Sequence, residues 1–427
     1  MTTKLRVLSV FIAFLLSLLS VSPPSVAASI LFVFALMALH SRESRRCAKI
    51  YVMPLFFILI VGAASVFLGS QRYPAAYLYF RDGFYFILPV FALCAGIGVA
   101  RDQYRLHCVL QGAVIAGVFI TIITYFDFIV GFGVARGLSL DSRYEYGLDS
   151  NAALVTFLIL WTFRISSNAV ISKQADTIII LLSVLAIAAS LSRTNILIAL
   201  IVVVLPLIHR PVGSKTIILA AFLGFMFVAF GAELLELGPK TNASRNFFDK
   251  VAGSLSEIVV RNLYTVQDIN EHWRAYEGYL GLEVFRSGDW FNYIFGQGFG
   301  SHASASSVYR DKFEIIPIFH FGYITVLLKS GWLGLILYFY FFYNILGRFD
   351  KSSGTHYIRQ KNLLIKLLCI ALILKTYFVM GVYTTKSQIF ELVVLGALLR
   401  DFHLRSLQTV LLPLSDQVVG RRALKVL

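Results

Sequence analysis

The sequence predicts an all-α polytopic membrane protein of about 12 transmembrane helices, with one large periplasmic helical loop between the ninth and tenth. Three observations carry that expectation. Of the 427 residues, 58% are hydrophobic and only 14% are charged, too little polar surface for a soluble chain of this size. The apolar residues are gathered in blocks of about 15–25, the length that crosses a ~30 Å hydrocarbon core as a helix. Basic residues are divided unevenly between alternate connecting segments, as in helical membrane proteins. Barrel strands would show shorter segments of alternating polarity, which are absent, and a helix satisfies its own backbone groups in lipid.

Taken in order, the apolar blocks place spans at about 5–21, 25–39, 50–69, 84–100, 107–130, 151–163, 175–191, 194–208, 216–234, 318–346, 363–382 and 387–403. This divides the chain into helices 1–9 (1–234), a periplasmic cap (235–317), helices 10–12 (318–403) and a cytoplasmic tail (404–427). The weakest boundary is the Leu191–Thr194 break, where an eleven-helix arrangement with a re-entrant segment is the alternative. Lys4 and Arg6 precede the first apolar run, and small residues follow near Ala27, as in a cleaved signal peptide. A second apolar run begins at once, so an uncleaved first helix is expected.

With the N-terminus inside, 22 of the 38 Lys and Arg residues fall on short inner segments and six on short outer loops. That asymmetry sets the orientation and places the long loop outside. It also accounts for the formal net charge of +15 without a nucleic-acid partner. The four cysteines, Cys47, Cys94, Cys108 and Cys369, include no CxxC pair and none lies in the outer loop. Neither disulfides nor a zinc site is expected.

Segment 235–317 is too polar to cross lipid and too aromatic for a disordered linker. Trp273, Tyr276, Leu280 and Val284 recur at helical spacing, with Arg274 and Glu277 on a different face. A small ordered helical cap is the expectation. From Leu404 onward the chain mixes apolar and basic residues, a pattern suited to the cytoplasmic interface.

Two features carry chemistry. Arg72, Arg81, Arg136, Arg143 and Arg193 gather at outer helix ends or short outer loops despite the positive-inside pressure. Guanidinium forks suit a diphosphate; the alternative is that each reaches lipid head groups or pairs with Asp82, Asp141, Glu145 or Asp149. The second feature is Gly296-Gln297-Gly298-Phe299-Gly300, followed by His320 and by Gly331 and Gly334. No βαβ pattern surrounds the glycine tract, so it reads as a tight turn rather than a dinucleotide fingerprint. Gly331 and Gly334, three apart on a helix, permit a close neighbour. His320 stands where the loop re-enters the membrane, and an imidazole there can take a proton from an attacking hydroxyl; the alternative is a hydrogen-bonded interface histidine. No HExxH or carboxylate–histidine cluster marks a metal.

At the level of these motifs and of topology, the chain resembles the O-antigen ligase and O-antigen polymerase superfamily of bacterial surface-polysaccharide assembly. Ser192-Arg193-Thr194 is similar to the family's Ser-Arg signature, and Arg143 through Gly147 to Asn151-Ala152 to its Arg/Gly/Asn-Ala stretch. Gly296–Gly300 resembles its glycine-rich turn, and His320 with Gly331 and Gly334 its histidine–glycine element. Two positions depart from the pattern. Phe321 stands where the family usually has Asn, Ser or Gln, and the loop arginine directly follows Trp273 as Arg274, with Arg261 and Arg286 as rivals.

The resemblance implies a GT-C-like, metal-independent glycosyltransferase with no cofactor. Its donor would be an undecaprenyl-diphosphate oligosaccharide and its acceptor a glycan, among membrane lipids, with a chain-length regulator and a flippase as possible partners. His320 and Arg274 would be catalytic. Arg193, Arg143, Arg136 and Arg81 would hold the diphosphate, and Gly298, Gly300, Gly331 and Gly334 would be structural. A polymerase of repeat units is the leading expectation and a ligase to lipid A–core the alternative. A transporter or flippase, with Lys329, Lys375 and Glu391 lining a path, is the reading from another class; it lacks paired broken helices or similar halves. A purely structural envelope subunit is the third.

Overall fold

The computed structural model describes residues 3–21, 24–67, 76–135, 150–164, 169–189, 192–208, 265, 268–269, 272–304, 315–316, 319–348, 356–378, 381–383 and 388–423. The expected ninth span and much of the outer loop, with Arg72, Arg136, Arg143 and Arg261, lie outside these residues.

Helices dominate: α1 (Thr3–Val21), α2 (Pro24–Leu39), α3 (Arg42–Tyr51), α4 (Met53–Ser65), α5 (Ala76–Val99), α6 (Gln103–Ala135), α7 (Asn151–Arg164), α8 (Lys173–Ala189) and α9 (Arg193–Ile208). After the undescribed stretch come α10 (Trp273–Arg286), α11 (Trp290–Phe295), α12 (Gly322–Leu346), α13 (His356–Phe378), a 3-10 turn (Gly381–Tyr383) and α14 (Ile389–Ala423). Among the described residues, three helices (Ala76–Val99, Gln103–Ile123 and Gly322–Leu346) are long and apolar enough to cross a membrane. The number is four if α2 and α3, bent by 117°, form one broken span. On α12 the side chains of Trp332, Ile336, Phe339, Tyr340 and Tyr343 are exposed, an apolar exterior suited to lipid.

Several boundaries differ from the sequence expectation, each for a local reason. The α2–α3 bend follows from Ser41, whose Oγ accepts the Ser44 amide at 3.0 Å and starts a new helix. Helix α3 carries four basic residues, Arg42, Arg45, Arg46 and Lys49, a composition costly within an apolar layer. Helix α5 begins eight residues before the expected span, so Arg81 and Asp82 lie within a helix rather than in a loop. Helix α14 runs through the boundary drawn at Leu404, since no proline interrupts Ile389–Leu412.

The core is built on close helix contact. Helices α5 and α14 cross with glycine on both sides: a Cβ on Gly96 would sit 2.1 Å from the Val393 carbonyl oxygen, and one on Gly396 2.4 Å from that of Leu93. Without a hydrophobic drive between helices in lipid, such backbone approach gains the dispersion contacts that hold them together. Polar side chains are also kept in pairs. Ser9 Oγ donates to Gln111 Oε1 at 3.3 Å between α1 and α6, and Gln111 Nε2 donates to the Val170 carbonyl at 2.8 Å. All four cysteines are buried free thiols.

Replacing Gly396 by valine is expected to force α5 and α14 apart at a cost of about 1–3 kcal/mol. Thermal unfolding of the purified protein in detergent checks this: a lowered Tm is expected, and an unchanged Tm would remove the crossing from the account of stability.

Candidate functional site

The segment before α12 contributes a helix at the expected place. In α10, Tyr276, Leu280 and Phe285 are buried, and two glycines let the helix settle onto the entrance of α12. A Cβ on Gly278 would meet the Phe321 ring at 2.8 Å, and one on Gly281 would meet Ile324 at 2.7 Å. This contact also buries Glu277, so the acidic residue does not face away from the packed surface as its spacing from Trp273 suggests.

Glu277 meets His320. The histidine occupies a bend just before α12, held between the buried rings of Phe319 and Phe321. Its side chain is 36% exposed, and its Nδ1 lies 2.5 Å from Glu277 Oε2. Toward an ionised carboxylate Nδ1 can only donate, and in the neutral ring that tautomer leaves the lone pair on Nε2. A carboxylate that fixes the imidazole tautomer and stabilises the imidazolium is how a histidine base is supported in acyl transfer. Sequence reasoning found no carboxylate–histidine cluster because the partners are 43 residues apart. Phe321 also gains a role: it wedges against Gly278 while the polar partner comes from α10.

Beneath this pair the glycine tract forms the tight turn its spacing suggests. Gly296, Gly298 and Gly300 adopt φ of 79°, 86° and 83°, a region costly for residues with a Cβ. A side chain at Gly298 would also lie 2.3 Å from the Val66 amide nitrogen. The turn is tied to three elements by backbone groups: Phe299 N donates to Gly62 O at 2.9 Å, Gln297 N to Leu328 O at 2.7 Å, and Gly300 N to Asp82 Oδ2 at 2.8 Å. Gln297 Nε2 reaches Val284 O of α10 at 2.7 Å.

Gly331 takes φ 66° and ψ −167°, a kink inside α12. It admits the end of α11, whose Ile294 carbonyl oxygen would be 2.3 Å from a Cβ there. The neighbour that approaches this glycine is therefore a six-residue helix and its turn. Gly334 lies one turn further on, where a Cβ would strike the Ser330 side chain of the same helix.

An ion-pair cluster anchors the turn. Asp82 Oδ2 lies 2.6 Å from Lys329 Nζ, and Asp82 Oδ1 accepts from Arg81 Nη2 at 3.0 Å. Lys329 also donates to the Ser301 carbonyl. Both Asp82 and Lys329 are buried, and only mutual pairing with further hydrogen bonds makes that tolerable.

The expected arginines distribute as follows. Arg81 is committed in part to Asp82, the pairing raised as its alternative. Arg274 sits in the first turn of α10, one turn before Glu277, so the helix that supplies the histidine's partner also carries this guanidinium; Arg286 closes the same helix. Arg193 opens α9. Two residues on, Asn195 Nδ2 donates to Ser150 Oγ at 2.7 Å in a buried contact, which joins the Ser192-Arg193-Thr194 motif to the start of α7 at Asn151. Arg136 and Arg143 lie outside the described residues.

The transport reading placed Lys329, Lys375 and Glu391 along a path. Lys329 is paired with Asp82, and Lys375 with Glu391, all of them buried. Among the described residues, no group of three or more His, Cys, Asp or Glu side chains is arranged to hold a metal ion. The chain matches no protein-family model, and no curated protein matches it closely enough to count as a relative.

Lys329→Met would leave Asp82 buried with less compensation, at a cost of about 3–5 kcal/mol. The expected outcome is loss of monodisperse protein on size-exclusion in detergent or a Tm lowered by many degrees. Wild-type behaviour would show that the cluster does not hold the turn.

Proposed function

We propose that the chain is an inner-membrane glycosyltransferase that polymerises a bacterial surface polysaccharide, O-antigen or exopolysaccharide, at the periplasmic face. The observation that carries this reading is the His320–Glu277 pair, a supported base with an accessible imidazole at the mouth of the apolar bundle. It is supported by the sequence motifs that resemble the O-antigen ligase and polymerase superfamily, and by Arg274 on the same helix as Glu277.

In the proposed reaction an acceptor sugar hydroxyl attacks the anomeric carbon of an undecaprenyl-diphosphate oligosaccharide. The new C–O bond forms as the bond to the diphosphate breaks, and the lipid diphosphate leaves with the electron pair. His320 Nε2 takes the hydroxyl proton, while Glu277 holds the resulting imidazolium. Arg274 and Arg193, with Arg143 and Arg136, stabilise charge building on the diphosphate. Arg81, the fourth arginine of the proposed diphosphate set, is tied to the glycine turn through Asp82. This arrangement routes no step through a metal or cofactor. Ligation to lipid A–core would use the same groups, since the two activities share these motifs and this topology.

His320→Ala is expected to lower polymer formation by about 10²–10⁴-fold, the range for loss of a general base, and Arg274→Ala to lower it strongly. Glu277→Gln, which can still accept from Nδ1, should fall between His320→Ala and the wild type. The measurement is surface glycan in a deletion strain complemented at matched membrane levels. Loss of a polymerase leaves single repeat units, whereas loss of a ligase leaves long chains on the carrier lipid. Full activity of His320→Ala and Arg274→Ala would remove these assignments, and a label at residue 320 accessible only from the cytoplasm would end the reading.

A further inference from the structure

Opposite the His320–Glu277 pair, α12 ends at a second cluster whose charges no part of the proposed reaction uses. The 25 residues of α12 put the two clusters roughly 37 Å apart along the helix at 1.5 Å per residue, less where the kink shortens the path. Arg400 of α14 is only 1% exposed. Its Nη2 donates to Glu43 Oε2 of α3 at 2.8 Å, but its Nε and Nη1 are buried with no hydrogen-bond partner among the described residues. The adjacent turn carries His403, also buried, whose Nε2 likewise has none.

Around this floor stand further cations. Arg400, Arg348, Arg46 and Glu43 all lie within electrostatic range of the His403 ring. Arg348 is held in place: its Nε donates to Asn344 Oδ1 at 2.9 Å, its guanidinium lies 5.6 Å from the Tyr51 ring centre, and Asn344 Nδ2 is tied to the Ile50 carbonyl at 2.8 Å. Arg46 and Arg348 are exposed. Among the described residues, acids do not balance the group. Glu43 is 61% exposed and meets a single Arg400 nitrogen. Asp401 is engaged by Lys361 at 2.8 Å and by Arg405 at 2.9 Å.

We infer that this end of the bundle is a phosphate-binding site, floored by Arg400 and His403 and rimmed by Arg46 and Arg348. Two facts distinguish it from ordinary positive-inside anchoring. A snorkelling arginine keeps its head in water, whereas Arg400 is buried with two donors unused, an expensive state that an anion's oxygens would relieve. Arg348 is also fixed by a ring and an amide instead of being left free. Several guanidinium forks around one point match a tetrahedral oxyanion, and basic pockets between membrane helices take anionic head groups. The shared chemistry is a phosphate ester, supplied by a phospholipid of the adjoining leaflet or by a soluble compound. The site does not depend on the glycosyltransferase reading.

The test uses the full chain purified in neutral detergent, with Tm read in mixed micelles of phosphatidylglycerol or phosphatidylcholine, and separately with inorganic phosphate at constant ionic strength. A Tm rise of several degrees with phosphatidylglycerol but not phosphatidylcholine is expected. A rise with phosphatidylglycerol alone identifies a lipid head group, and a rise with inorganic phosphate as well identifies a site open to free phosphate esters. Arg46→Gln with Arg348→Gln, both exposed and compatible with folding, should lose most of the shift. Arg45→Gln with Lys49→Gln removes the same charge from outside the cluster and should retain it. Arg400→Lys, which keeps the charge beside Glu43 but not the fork, should weaken the shift. No rise with either probe, or equal loss in the two double variants, would overturn the site.

Discussion

The pairing of Asp82 with Lys329 is the constraint on which the half of the molecule around the glycine turn rests. Neither charge is tolerable alone in an apolar bundle, and each lacks water to turn to. Together they satisfy one another and still have capacity left for the backbone: the carboxylate takes the Gly300 amide, and the ammonium reaches the Ser301 carbonyl. A polar pair belonging to two membrane-type helices thereby fixes a loop that belongs to neither. With the turn seated, Gln297 reaches Val284 and the end of α11 enters the kink at Gly331, so α10 and α11 are tied to the bundle through it.

That chain of contacts explains why His320 is placed as it is. The histidine lies in the bend that leads into α12, nine residues ahead of Lys329 on that helix, and its partner Glu277 lies on the helix that the turn helps to position. Phe319 and Phe321 bury on either side and hold the imidazole at the surface between them. The imidazole thus has one nitrogen committed to a buried carboxylate and a side chain still partly open to the outside, the arrangement a base requires. The same logic of shared burial recurs with Lys375 and Glu391. At the far end of the bundle it breaks down, since Arg400 is buried with only part of its fork engaged.

How much of this was legible in advance depends on the range of the interaction. The spacing of Trp273, Tyr276 and Leu280 predicts α10, and the structure has it. The glycine tract reads as a turn, and three positive φ values bear that out. His320 stands out by position, and the alternative that the arginines pair with nearby acids, Asp82 among them, holds for Arg81. Glu277 was assigned away from the packed surface: periodicity registers apolar residues, and a buried carboxylate looks like a solvated one until its partner is known. Gly331 was expected to sit in a regular helix, and its kink depends on α11 arriving from outside.

By itself the sequence determined the helical, lipid-compatible character of the chain and its short-range features, because hydrophobic periodicity, capping and glycine conformation act within a few residues. Only the tertiary structure decided which charges meet: Asp82 with Lys329, Glu277 with His320, and Arg400 with Glu43. Those partners are separated by 43 residues or far more, and the cost of burying a charge is settled by geometry in space. One-dimensional pattern carries no record of that geometry.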